Sequence, residues 1–246
     1  IYTHIDAKGG MLVIKTAPTP EEIIKLGVDG VIQIWKEAKL RGNGHKKAML
    51  IVNAASQSIG LTEGLEEARM EIQDLIEDYE LQMKRLEKVN SLIENLCKQI
   101  KYVDKLLEIK GIGIITVAGF IAEVGDITRF DNAKELQKLA GLELVADSSG
   151  KHNGKTRISK RGRKRLRYLL VQAAVSVIGK NDGFRQIHEY YTTRKNNPLK
   201  KMQSLIAVAC KLIRVFYVIL TKGRSYDASK MLGDIKRPQT TKTKSA

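Results

Sequence analysis

Between Leu65 and Leu107 the seam positions of this chain recur at spacings that alternate between three and four residues without a break. They run through Ile72, Leu75, Tyr79, Gln82, Leu86, Val89, Ile93, Leu96, Ile100 and Val103. That 3.5-residue repeat predicts one coiled-coil arm about 65 Å long at 1.5 Å per residue. The positions around the seam are acid-rich, with Glu66, Glu67, Glu71, Glu77 and Glu80 beside Lys84, Arg85 and Lys88. Such a surface suits protein better than a polyanion, so the arm is expected to join copies of the chain into a homo-oligomer. Gln82 is the one polar seam position. A buried amide there would fix register, and a loosely packed position would give it no role.

Before the arm, Met11-Leu12-Val13-Ile14 is a strand-like apolar run without an evident partner strand, so its sheet is expected to lie upstream and the chain to be part of a longer protein. Thr19-Pro20-Glu21-Glu22 reads as a helix start, with Thr19 as N-cap and Pro20 at the first helical position. Helices are predicted over Val28–Leu40 and His45–Ser56, with Gly42 and Gly44 as breakers. Trp35, between apolar neighbours, is a core anchor or a base-stacking platform, and its surroundings favour the core.

After the arm, the apolar run that ends at Ile109 is followed by Gly111-Ile112-Gly113 and a second apolar helix, Ile114–Val124. This is the pattern of a helix-hairpin-helix element, in which Gly111 and Gly113 let backbone amides face a phosphate; two helices packed through a tight glycine turn give the same pattern. Asp131 or Asn132 can cap a helix through Leu139 that Gly141 ends, and Leu142–Ala146 reads as extended. Ser159 is the expected cap of a helix that buries Leu166, Leu169, Leu170, Ala173, Ala174 and Val177. A helix carrying Tyr190 and Tyr191 follows, and a strongly apolar one runs from Leu199 to about Leu220. The fold class is therefore mainly α, with a coil over 61–108, a helical domain over 109–227 and a disordered basic tail over 228–246.

Charge changes this picture more than composition does. The formal net charge is +16, but Ser148–Ala246 holds 24 Lys and Arg against 4 Asp and Glu, so the excess lies entirely in the last two fifths of the chain. Nine of the seventeen residues from Lys151 to Arg167 are basic and none is acidic: Lys151, Lys155, Arg157, Lys160, Arg161, Arg163, Lys164, Arg165 and Arg167. Anchored to a helix and interleaved with glycines, they form a candidate phosphate-binding surface. Cys97 and Cys210 have neither disulfide nor zinc spacing, so no metal site is expected within this chain. There is no signal-peptide pattern and no run of eighteen apolar residues, and the chain is expected to be cytoplasmic and nucleoid-associated, without a membrane partner.

The segments LLEIKGIGIITVAGFIAEVGDITRF, LQKLAGL, SSGKHNGKTRISKRGRKRLRYLL and EYYTTRKNNPLKKMQSLIAVACKLIRV resemble, in order and spacing, the C-terminal domain of the DEDD-type insertion-sequence transposases. These are recombinases guided by an RNA from their own element. The resemblance covers about Leu106–Asp227 and extends weakly back to PTPEEIIKLGVDGVIQIW. It implies that residues 1–60 are the end of a RuvC-like α/β domain with a helical linker. It also implies DNA and guide RNA as partners, and Ser149, just before the glycine of the SG motif, as the nucleophile that forms a 5′-phosphoserine intermediate. The family's four carboxylates and their divalent metal, Mg, should lie before residue 1. No matching set occurs here, so the chain alone is expected to be inactive. The alternative is a non-catalytic helix-hairpin-helix module or a decayed remnant; a structural RNA-binding protein fits the charge but not the coil.

Overall fold

The computed structural model describes residues 7–59, 61, 63–145, 148–149, 152–153 and 156–236. The chain is mainly helical, as its periodicity predicts, and divides into two compact units, residues 1–88 and 89–246.

The first unit contains α1 (Lys8–Thr16), α2 (Pro20–Glu37), α3 (His45–Ser56) and most of α4 (Leu65–Lys98). The Thr19 cap forms as read: its hydroxyl accepts from the Glu22 amide at 3.3 Å and the Glu22 carboxylate accepts from the Thr19 amide at 3.1 Å. Glu22 also pairs with Arg69 at 3.1 Å. Gly27, at φ 65°, kinks α2 and separates the capped start from the segment around Trp35. The strand expected at Met11–Ile14 is instead helix α1. Gly9, Val13 and Ala17 are buried at four-residue intervals, and the Trp35 indole donates to the Gly9 carbonyl at 2.9 Å. A helical spacing of small and apolar residues, clamped by a buried tryptophan, outweighs the β preference of a short apolar run. Trp35 is thus a core residue, packed with Val13, Val31, Ala48 and Ile51.

The long helix α4 is present but shorter than its heptads predict. It ends at Lys98, and the chain turns through Tyr102, a left-handed residue at φ 68°, into α5 (Val103–Leu107). The reason is tertiary: Val103 and Leu106 are 2% and 0% exposed in the second unit's core, and Lys105 donates to the Gly223 carbonyl at 2.5 Å. The continuous seam to Leu107 is therefore broken at residues 99–102. On α4, Ile76 and Cys97 are buried, while the seam residues Leu75, Leu86, Val89 and Leu96 are each half exposed or more.

In the second unit α6 (Ile114–Val124), a 3₁₀ turn (Ile127–Arg129), α7 (Ala133–Leu139), α8 (Lys164–Lys180), α9 (Asp182–Thr193) and α10 (Lys201–Lys222) enclose one core. Phe120 of α6 meets Phe216 of α10 edge to face, with centroids 5.0 Å apart. By length and composition α10 could cross a membrane. Its residues Val208, Leu212, Ile213, Phe216 and Ile219 are instead at most 1% exposed against the other helices, the pattern of a central core helix. Asn132 caps α7, and Asn181 caps α9 by accepting from the Gly183 and Phe184 amides. Tyr226 donates to Asn181 at 3.2 Å and stacks on Phe184. This contact leads into α11 (Ala228–Lys236), whose Met231 and Leu232 are buried. The disordered tail expected from residue 228 is thus a packed helix through Lys236, because two apolar residues in a polar segment reach the core; residues 237–246 lie outside the described residues.

Candidate nucleic-acid interface

The basic segment is held by an unusually close backbone approach. Two short antiparallel pairs form a ribbon: β1 (Leu144–Val145) with β4 (Arg157–Ile158), then β2 (Ser148–Ser149) with β3 (His152–Asn153). Ser149 is the register partner of His152, the last pair before the two residues that link the strands. At the ribbon's base, residues 159–163 fold onto 139–143 through three backbone bonds: Ser159 to Glu143 at 2.8 Å, Lys160 to Gly141 at 3.0 Å and Arg163 to Leu139 at 2.7 Å. Gly141 has φ 66° and Gly162 φ 145°. A Cβ on Gly162 would lie 2.4 Å from the Leu139 carbonyl oxygen, so only glycine fits.

This clamp divides the predicted cations by role. Arg167 donates to the Ala140 carbonyl at 3.0 Å and to that of Lys160 at 3.4 Å, placing a cation at the C-terminal end of α7. Arg163 donates to the Glu123 backbone carbonyl, and Arg163 and Arg165 each lie 3.7 Å from the Glu123 carboxylate. Arg157, Lys160, Arg161 and Lys164 are exposed and make no side-chain hydrogen bond or ion pair among the described residues; the Arg165 side chain is 85% exposed despite its contact. Lys151 and Lys155 lie outside the described residues, and Ser149 is described as backbone. Ser159 does not cap α8 as expected: the N-cap is Arg163, without a side-chain bond, and the buried Ser159 hydroxyl has no hydrogen-bond partner among the described residues. Its backbone is already committed to the ribbon's base, four residues too early for a cap.

The two hairpin glycines also part company. Gly111, at φ 98°, packs on α8: a Cβ there would lie 2.9 Å from the Ser176 carbonyl and the Val177 Cα, and the Ser176 hydroxyl donates to the Gly111 carbonyl at 2.7 Å. Its glycine is explained by helix packing. Gly113 caps α6 in open space. α6 and α8 run antiparallel: Gly111 meets Ser176, Gly119 faces Leu169, and Glu123 reaches Arg163 and Arg165. Tyr190 and Tyr191 are partly buried and pack on each other at 5.7 Å. The residue that sequence reading passed over is Tyr168, 66% exposed one turn beyond Lys164 and Arg165. Its position, three and four residues after two cations in a helix, was the available signal. Among the described residues no group of three or more His, Cys, Asp or Glu is placed to hold a metal ion.

A helical domain with a short ribbon and a cationic edge is the class these features define. Residues 103–192 match the model of the transposase IS116/IS110/IS902 family. Over 225 residues the chain is 24% identical to the insertion element IS116 uncharacterized 44.8 kDa protein of Streptomyces clavuligerus, covering 92% of this chain and 55% of that protein. It is 26% identical over 213 residues to the transposase for insertion sequence element IS1111A of Coxiella burnetii, covering 81% and 54% respectively. A pilin gene-inverting protein of Moraxella lacunata is 29% identical over 136 residues, covering 54% of this chain and 41% of that one. These similarities support an insertion-sequence transposase; the chain spans about half the length of the curated relatives it matches first.

Gly162→Ala is expected to lower stability by more than about 1 kcal/mol, since the added methyl must push apart the clamp at a backbone angle alanine avoids. Gly179→Ala, within α8 and in open space, should be neutral or stabilising. Urea unfolding of both variants checks the pair; equal midpoints would remove the clamp from the account.

Proposed function

We propose that this chain is the nucleic-acid-holding and serine-donating part of a DNA transposase. The observation that carries the reading is the exposed cationic edge, Arg157, Lys160, Arg161, Lys164 and Arg165, at the base of the ribbon whose far pair includes Ser149. The edge takes up DNA phosphates and those of a guide RNA, with the open α6 end at Gly113 and with Lys151 and Lys155 as further contacts. The Ser149 Oγ attacks a DNA phosphorus. A Ser–O–P bond forms, the bond to the 3′ oxygen breaks, the 5′ phosphate stays on serine, and the 3′ oxygen leaves with the proton that serine has given up. Cations near the ribbon offset the charge that grows on the phosphoryl oxygens. The seam residues Leu75, Leu86, Val89 and Leu96 of α4, exposed on the isolated chain, pair with the same helix of a second copy.

Three measurements test this reading. Changing Arg161, Lys164 and Arg165 together to Ala should flatten the slope of log affinity against log salt by about two to three, near 0.7 to 0.9 per lost phosphate contact; an unchanged slope moves the interface elsewhere. For the chemistry, the chain is joined to a carboxylate-bearing nuclease domain of the kind the resemblance implies and incubated with DNA and Mg²⁺. A covalent adduct should form with Ser148→Ala and not with Ser149→Ala, as read by denaturing gel and peptide mass. An adduct with Ser149→Ala sinks the nucleophile, and DNA binding without any adduct supports the non-catalytic alternative. For assembly, Leu86→Asp with Val89→Asp should convert an oligomer to a monomer in sedimentation; a monomeric wild type removes the coil from the reading.

A further inference from the structure

Helix α8 has two faces. Leu166, Leu170, Ala173, Ala174 and Val177 are buried, while Lys164, Arg165, Tyr168, Gln172 and Val175 are exposed at spacings of three and four that keep them on one stripe. Tyr168 is the most exposed of the seven described tyrosines. Others have evident employment: Tyr217 donates to the Phe130 carbonyl, Tyr226 holds Asn181 and Phe184, and the Tyr102 ring packs against Gly223. Tyr168 makes no hydrogen bond or ring contact among the described residues. It stands beside the densest cluster of cations with two thirds of its surface open to solvent.

We propose that Tyr168 is a stacking platform for an unpaired nucleobase, on a strand whose phosphates the neighbouring Lys164 and Arg165 hold. The inference rests on the nucleic-acid reading above and makes it more specific. A tyrosine ring binds a base through its face. Inside a duplex both faces of a base are covered by its neighbours, so an exposed ring selects a base that is displaced, terminal or single-stranded. The cations lie one helical turn away, about 5.4 Å along the axis, close enough to serve the same strand. Gln172, one turn in the other direction, offers an amide donor and acceptor to a base edge. The stripe carries five residues, two cations and no acid, which fits a polyanion with aromatic faces. A DNA strand and an RNA strand share this chemistry.

The test uses the 246-residue chain with short single strands of DNA and RNA that carry 2-aminopurine, and with a blunt DNA duplex of the same sequence. Wild-type binding should quench the 2-aminopurine fluorescence. Tyr168→Ala should lose the quench and weaken single-strand binding at least fivefold, the lower end of about 1–3 kcal/mol per stacked base. The salt slope and duplex affinity should not change, because stacking releases no counterions. Tyr168→Phe should restore both quench and affinity, and Tyr168→Leu should not. A loss confined to DNA or to RNA supports the platform and identifies its strand. Single-strand binding by Tyr168→Ala equal to wild type, or an equal loss on the duplex, overturns it. If the wild type binds none of the probes, the nucleic-acid reading falls as well, whereas single-strand binding that responds to the Arg161, Lys164 and Arg165 changes and not to Tyr168→Ala removes this inference alone.

Discussion

The approach of Gly162 to the Leu139 carbonyl governs the cationic edge. A backbone crossing that admits no Cβ brings residues 159–163 onto 139–143, where the Ser159, Lys160 and Arg163 amides donate three backbone hydrogen bonds. That crossing sets where α7 ends, where α8 begins and how the ribbon leaves the domain. Arg167 reinforces it by donating to the Ala140 carbonyl at the end of α7, where the helix dipole favours a cation, and to the Lys160 carbonyl across the crossing. Without the crossing, the same cations would be a tethered basic segment with many conformations, and a phosphate chain would have to order them as it bound.

Holding the segment still has a second effect, which is to make its cations unequal. Arg167 is spent on the fold. Arg163 is tied to Glu123, and Arg165 touches the same carboxylate at 3.7 Å while remaining open to solvent. Surface pairs of that length contribute little and yield easily to a phosphate. Arg157, Lys160, Arg161 and Lys164 are left facing water. The set of exposed, uncommitted cations among the described residues is thus smaller than the run of basic residues in the sequence.

The two glycines of the hairpin illustrate the same sorting. Gly-x-Gly marks a tight turn between two apolar helices, and the turn is present. Yet Gly111 is demanded by the backbone of α8 lying against it, a packing reason that a phosphate has no part in. Gly113, at the open start of α6, is the one that leaves amides accessible. In α4 the heptads describe the helix well until Val103 and Leu106 enter a core that holds them more firmly than a seam does.

What the sequence determined by itself was local or periodic: the mainly helical class, the N-cap at Thr19, a cap at Asp131 or Asn132, the buried face of α8, the apolar character of α10, and the concentration of positive charge after residue 147. These follow from side-chain spacing and short-range hydrogen bonding, which a single chain segment contains. What only the tertiary structure decided depends on residues far apart in sequence. Trp35 made Met11–Ile14 a helix by bonding to Gly9; the turn at Tyr102, packed against Gly223, ended the coil; the core recruited Met231 and Leu232 from a segment too polar to announce itself. The division of the arginines into braces and exposed cations also belongs here. It turns on whether a carbonyl from α7 or a carboxylate from α6 lies within reach, a distance that no spacing along the chain encodes.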